Sequence, residues 1–205
     1  YNVHKVNLVN DRGIHICKSM IMYQRHGAGR TPESTGVKGD HLVGEFYVLF
    51  DCKFTQEYEA WQTSEAANAR FQTWLQSPDG ARAKASNEAA SDASLRQAFF
   101  DAYKDDYFNQ ESELGQATKQ MLLDWERGDA DVRALWETMN QWVFQGFDVT
   151  YEPLGIHFDQ VYYESNTYTL GKDIVLKGLE DEIFERSEGG AVVCDLDAHG
   201  FPDQK

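Results

Sequence analysis

Two short polar clusters carry the chemistry that this sequence can offer. The first, Asn10-Asp11-Arg12-Gly13-Ile14-His15, follows the apolar residues Val6, Leu8 and Val9. Those residues read as a buried strand. From Ile14 the pattern turns helical, with Ile14, Cys17 and Ile21 on one stripe and Ile16, Met20 and Tyr23 beside it. A strand that passes through a polar turn into a helix is half of a parallel α/β unit. Ligands of such sheets collect outside the carboxyl ends of the strands, so Asn10, Asp11, Gly13 and His15 are candidates for a binding edge. The competing reading is local: Asn10 or Asp11 caps the following helix and Gly13 relieves the turn.

The second cluster, Glu164-Ser165-Asn166, follows a strand over 161–163 and forms a second strand-to-helix turn. Glu164 and Ser165 are candidates for the same kind of edge. The competing reading of Glu164 is a helix N-terminal cap or an ion pair with Lys172. Other combinations offer less. Asp40 and His41 are neighbours on a starting helix and point in different directions, which is wrong for a charge relay. Ser19 and Ser165 lack the G-x-S-x-G setting of a hydrolase. The six histidines and three cysteines are scattered without zinc-site spacing, so no metal is assigned, and no side chain is singled out as catalytic.

The elements that must position these clusters fall into three stretches. In residues 1–52 the strand and first helix lead through a polar loop over 29–39 to Asp40, read as an N-cap. The next helix carries Leu42, Val43, Phe46, Leu49 and Phe50 on one face. Residues 53–118 are rich in Ala, Gln, Glu, Asp and Ser and read as a helical insertion. Tyr58, Trp61, Phe71, Trp74 and Leu75 suggest one helix there, stopped by Ser77-Pro78-Asp79-Gly80. Leu95, Ala98, Phe99, Ala102 and Tyr103 suggest another. These aromatics could stack bases, but without interleaved Lys or Arg they read as a small helical core. Residues 119–205 complete a stripe of Leu114, Ala117, Met121 and Trp125 that ends at Gly128. Asp129 then caps a long helix through Phe147. Thr167 is read as the cap of a helix bearing Leu170, Ile174, Val175 and Leu179. Segments 183–186 and 191–196 form a hairpin around Glu188-Gly189-Gly190. The fold class is therefore α/β, mostly helix on a small, truncated parallel sheet.

The two clusters and their surroundings closely resemble segments of one family, the class I arginyl-tRNA synthetases. Asn10-Asp11-Arg12-Gly13-Ile14-His15-Ile16-Cys17 resembles the segment after that family's nucleotide-binding signature, where many members have Gly-Asp-Trp-Gly-Thr-Gln-Phe-Gly. The likeness continues in Gly36-Val37-Lys38-Gly39-Asp40-His41 and in Phe147-Asp148-Val149-Thr150-Tyr151-Glu152. It resumes in Leu154-Gly155-Ile156-His157-Phe158-Asp159, then in Tyr163-Glu164-Ser165-Asn166-Thr167-Tyr168 and Leu170-Gly171-Lys172-Asp173. Several collinear motifs make a far more specific signal than one.

The resemblance implies a partial Rossmann-like catalytic core at 1–52 and 119–205, interrupted by the insertion at 53–118. It implies an enzyme that activates arginine with ATP, accompanied by Mg, and transfers it to tRNA(Arg) in the cytoplasm. The first step is an in-line attack of the arginine carboxylate on the α-phosphate. Positioning and charge stabilisation do that work, and no covalent nucleophile is needed. Asn10, Asp11, Gly13 and His15 would shape the wall of the amino-acid and ATP pocket, with Glu164 and Ser165 at a second strand end. At His15 many members have Gln, and Arg12 stands where others have Trp. The two ATP-handling signatures of the family have no counterpart in this sequence, so the chain is expected to be an internal piece, inactive alone.

Composition sets the remaining bounds. The 205 residues suit one domain, or one domain with an insertion. No apolar run reaches the roughly 20 residues that span a bilayer, and no signal peptide is visible. Cys17, Cys52 and Cys194 read as reduced, buried thiols of a cytosolic protein. The net charge is −15. Residues 1–52 hold six Lys/Arg against five Asp/Glu, whereas residues 148–205 hold four against thirteen. Phosphate backbones are held through Lys and Arg, so little tRNA binding is expected of this chain alone. The acidity also keeps a second class in view: a non-catalytic, acidic helical scaffold derived from a synthetase.

Overall fold

A computed structural model describes residues 1–85, 91–187, 190–196 and 200. Helix makes up 70% of the chain. The chain divides into two units, Gly13–Gly155 and a smaller one formed by Tyr1–Arg12 with Ile156–Lys205.

The larger unit is entirely helical among its described residues. Its helices are α1 (Ile14–His26), α2 (Pro32–Thr35), α3 (Gly39–Gln62), α4 (Glu65–Leu75), α5 (Pro78–Ala85), α6 (Asp92–Gln110), α7 (Glu113–Arg127) and α8 (Ala130–Tyr151). Short polar side chains start most of them. Ser64, Ser91, Ser112 and Asp129 accept backbone N–H groups of the turns that follow, and Thr31 forms a capping box with Ser34. Each satisfies donors that the helix itself leaves unpaired.

Leu42, Phe46, Phe50, Phe54 and Tyr58 of α3 are all buried and recur every four residues. With 3.6 residues per turn, each such step rotates about 40° around the helix. The stripe therefore winds round α3 and meets different partners along its length. Phe46 packs edge-on against Tyr23 of α1, which also meets Trp142 of α8. Further along, Phe54 and Tyr58 lie against Tyr107 of α6. A continuous helix thus links the α1–α8 end of the core to the aromatic end. Where α3 meets α8, glycine is required: a Cβ on Gly39 would collide with the Trp142 carbonyl oxygen, and one on Gly146 would lie 2.6 Å from Asp40 Oδ1.

Several local expectations are corrected. The cap of α3 is Lys38, not Asp40; Asp40 Oδ1 instead accepts the His41 N–H, and its Oδ2 pairs with Lys38 Nζ at 3.0 Å. The helix suggested by Tyr58 to Leu75 is two helices, broken at Thr63 and Ser64. Pro78 opens α5 rather than only stopping its predecessor, as suits a residue with no N–H to leave unpaired. The loop over 29–39 holds the short α2. The helix α3 crosses residue 52 without a break. Phe71, Phe99 and Tyr107 are buried, in keeping with a helical core rather than a stacking surface.

The smaller unit contains β1 (Val6–Val9), β2 (Gln160–Tyr163) and α9 (Glu164–Glu180). The strands β1 and β2 pair in parallel, Val6 opposite Gln160 and Val9 opposite Tyr163. A hairpin of β3 (Glu185–Arg186) and β4 (Val192–Val193) is shorter than expected, and Glu188-Gly189 lie outside the described residues. Thr167 does not cap α9, which starts at Glu164; its hydroxyl donates back to the Tyr163 carbonyl at 3.2 Å. Cys17 is buried, but Cys52 and Cys194 are exposed.

The aromatic end of the larger unit carries a pH dependence. Burial is the first cause that pushes the Tyr58 and Tyr103 hydroxyls up to about 12; the Glu111 carboxylate, which accepts the Tyr103 hydroxyl, adds to the latter. Folded values above the unfolded one, near 10, mean that this stabilisation is complete below about pH 10 and is lost as pH rises through about 12. Helical circular dichroism is expected to hold to about pH 10 and then fall in step with tyrosinate absorbance. Ionisation of all tyrosines near pH 10 with the helix signal intact would contradict the buried cluster.

Candidate functional site

Parallel pairing brings the carboxyl ends of β1 and β2 side by side, although they are far apart in sequence. The turn after β1 delivers Asn10 and Asp11; the turn after β2 is already the first turn of α9, with Glu164 and Ser165. Asp11, only 4% exposed, joins the two ends. Its Oδ1 accepts the Ser165 N–H at 2.8 Å and its Oδ2 accepts the Ser165 hydroxyl at 2.6 Å.

This contact resolves which helix Asp11 serves. The N-cap of α1 is Gly13, whose helix start has no side-chain cap. The N-cap position of α9 is Tyr163, which also supplies none. Asp11 provides the missing acceptor for α9 from across the sheet, where a carboxylate also meets the positive end of the helix dipole.

Beside this tie, Asn10 and Glu164 form the rim. With its amide oriented to donate, Asn10 Nδ2 reaches Glu164 Oε2 at 2.7 Å and the Arg12 carbonyl at 2.6 Å. Glu164 forms no ion pair with Lys172 among the described residues. Its Oε1 carries no hydrogen bond there either, which leaves it open to a ligand. A pocket of about 230 Å³ opens here, lined by Leu8, Val9, Asn10, Tyr162, Glu164 and Thr167. Its walls are mainly apolar and its polar groups sit at the strand ends.

Of the six residues selected from sequence, four therefore meet in this unit: Asn10, Asp11, Glu164 and Ser165. Gly13 and His15 belong to the helical unit. Gly13 has φ 111°, a left-handed conformation that favours glycine, and its carbonyl accepts the N–H groups of Ile16 and Cys17. His15 is exposed on α1, its Nδ1 3.3 Å from the Tyr47 hydroxyl. Sequence reading missed Leu8, Tyr162 and Thr167 as walls of the pocket. Alternation along β2 was the available signal, since it places Tyr162 across from Leu8. Sequence reading also left Arg12 without a role, but its guanidinium lies 4.1 Å from the centre of the Tyr168 ring. Among the described residues no group of three or more His, Cys, Asp or Glu is placed to hold a metal ion, and no helix is long and apolar enough to cross a membrane.

Comparison with known proteins points to one class, the aminoacyl-tRNA ligases. An arginine–tRNA ligase of Bacteroides thetaiotaomicron is 44% identical over 203 residues, which are 97% of this chain and 27% of the relative. Those of Porphyromonas gingivalis and Amoebophilus asiaticus are 43% and 42% identical over 204 residues, covering the whole chain and 28% of each relative. The chain belongs to the arginine–tRNA ligase family and spans a little over a quarter of the length of these relatives. No protein-family profile matches the chain. No solved structure matches it either.

If Asp11 holds the start of α9, Asp11→Ala leaves two donors on Ser165 without their acceptor. Loss of hydrogen bonds to a charged group costs about 1.5–3 kcal/mol. Amide exchange in the first turn of α9 should then accelerate by about 10- to 150-fold, and less in Asp11→Asn, which keeps one acceptor. Unchanged exchange at Ser165 in Asp11→Ala would show that the carboxylate does not carry this helix end.

Proposed function

We propose that this chain works as part of an arginine–tRNA ligase, within a longer polypeptide that joins arginine to tRNA(Arg) at the expense of ATP. The observation that carries this reading is the 42–44% identity to arginine–tRNA ligases along nearly the whole chain. The geometry supports it with a pocket at the carboxyl ends of two parallel strands, the usual place for a substrate in such sheets.

The pocket suits the amino acid. Leu8, Val9 and Tyr162 offer apolar walls to the aliphatic stem of arginine, and the free oxygen of Glu164 offers a carboxylate to its cationic end. Asn10 orients Glu164, while Asp11 acts through Ser165 to fix the start of α9. Gly13 sets the backbone turn into α1. ATP, with Mg, is the co-substrate of this reaction. The protein acts in the cytoplasm.

We also read β1 and β2 as part of a larger, Rossmann-like parallel sheet. Parallel sheets are normally covered on both faces, yet Val6, Leu8 and Tyr162 are exposed, Leu8 by 77%. Such a face fits a sheet that continues in the rest of the enzyme. Residues 53–118 are an addition to that core, built outward from the continuous α3.

The assignment of Glu164 is tested in the complete ligase. Loss of one charge-assisted hydrogen bond costs about 1.5–3 kcal/mol, so Glu164→Gln should raise the KM for arginine by about tenfold or more with KM for ATP little changed. The isolated chain, with tRNA present, should support no arginine-dependent exchange of pyrophosphate into ATP. An unchanged KM for arginine would remove Glu164 from the pocket, and exchange by the isolated chain would overturn its reading as a part.

A further inference from the structure

Arg12 stands next to Asp11, and its backbone and side chain meet different partners. Its carbonyl accepts Asn10 Nδ2 at 2.6 Å, and the same nitrogen donates to Glu164 Oε2 at 2.7 Å. Asn10 uses both amide hydrogens in this way, so the direction of its amide depends on where the Arg12 carbonyl points. The side chain of Arg12 is fixed elsewhere: its guanidinium lies 4.1 Å from the centre of the Tyr168 ring. A cation over an aromatic face is attracted by the ring quadrupole, and more strongly where water is excluded. Arginine suits such a contact because its flat, weakly hydrated guanidinium stacks on rings. Both residues are half-buried.

Tyr168 follows Glu164 by four residues on α9. Residues at that spacing are neighbours on one helix face, so the ring that Arg12 covers lies one turn along from the carboxylate that Asn10 orients. Asp11 grips the same helix at Ser165. Two consecutive residues of the turn after β1 therefore reach α9 at two points, Ser165 and Tyr168. A single contact leaves a helix free to rock about it; a second contact, almost a turn further on, stops that rotation. Arg12 is not among the residues that line the pocket. A guanidinium inside it would repel the cationic substrate proposed there, whereas one stacked on Tyr168 leaves the space open.

We propose that Arg12 is a positioning residue for arginine binding. Its stack on Tyr168 aims the Arg12 carbonyl at Asn10, and Asn10 in turn holds Glu164 toward the substrate. Arg12 acts through these two side chains and is not itself a substrate contact. The effect on arginine rests on the reading of Glu164 given above; the grip of Arg12 on α9 does not.

Three variants of the complete ligase test this. Arg12→Met keeps an unbranched stem and removes the charge, Tyr168→Leu removes the ring face, and Tyr168→Phe keeps it. Without substrates, amide exchange in the first two turns of α9 should accelerate by about 3- to 30-fold in Arg12→Met and Tyr168→Leu, the range set by the strength of a cation–π contact. The same two variants should raise KM for arginine by about 3- to 30-fold, with kcat and KM for ATP little changed. Tyr168→Phe should stay close to the unsubstituted enzyme in both measurements. Arg12→Met combined with Asn10→Ala should be little worse than Asn10→Ala alone, because Arg12 acts through Asn10. Circular dichroism checks that each variant is folded. Unchanged exchange in Arg12→Met, Tyr168→Phe as damaging as Tyr168→Leu, or additive losses with Asn10→Ala would overturn the proposal. So would a normal KM for arginine in Arg12→Met while Glu164→Gln raises it. A normal KM in Glu164→Gln as well would remove Glu164 from the pocket and with it this role in arginine binding, whereas accelerated exchange would still uphold the grip of Arg12 on α9.

Discussion

The smaller unit depends on one buried carboxylate. Two parallel strands of four residues cannot sustain themselves in water, because a pair of strands needs further packing to be stable. The helix that follows β2 starts at a residue, Tyr163, whose side chain accepts nothing from the first turn. Asp11 meets both needs. Burying a carboxylate is costly unless hydrogen bonds replace its water, and here Ser165 donates to both oxygens. The strand end, the helix start and the adjacent Asn10–Glu164 pair then share one geometry. A polar rim over apolar walls follows from that tie.

The helical unit is organised differently, around the length of α3. A stripe repeating every four residues cannot keep to one face, so it must find successive partners as it winds. Bulky aromatics suit this, since Phe46, Phe54 and Tyr58 each meet a ring from another helix. Glycine permits the close approach at the other end, where Gly39 and Gly146 remove the side chains that would separate α3 from α8. Lys38, paired with Asp40 and donating to Thr150, binds the same junction with charge. Stability here comes from aromatic burial, and the polar groups left over line a cleft between α1, α3 and α6.

Much of this was legible in the sequence, and the failures have physical causes. The polar turn between an apolar run and a helical stripe located β1 and α1, and Asp129 announced α8 because a cap acts on its own neighbours. For Asp11 both the binding edge and the competing local cap of α1 were open, and neither names its partner: nothing near it in sequence reveals one 154 positions away. Thr167 was misassigned because Glu164-Ser165-Asn166 has the composition of a turn, while the distant Asp11 allows it to be helix. The break between α3 and α4 hid inside a hydrophobic pattern that is continuous across Thr63 and Ser64. Family resemblance supplied the proposed function, which spacing alone would have left as a generic ligand edge.

The central claim is that Asp11 acts on the pocket at the strand ends, proposed for arginine, through Ser165 and not as an independent contact. A double-mutant cycle in the complete ligase tests it most directly, with Asp11→Ala, Ser165→Ala and their combination compared by kcat/KM for arginine. If the two residues work as one tie, the double variant should be little worse than Asp11→Ala alone, with a coupling energy of about 1 kcal/mol or more. Losses that add to within about 0.5 kcal/mol would mean that each residue acts separately, and the tie would not be what shapes the pocket.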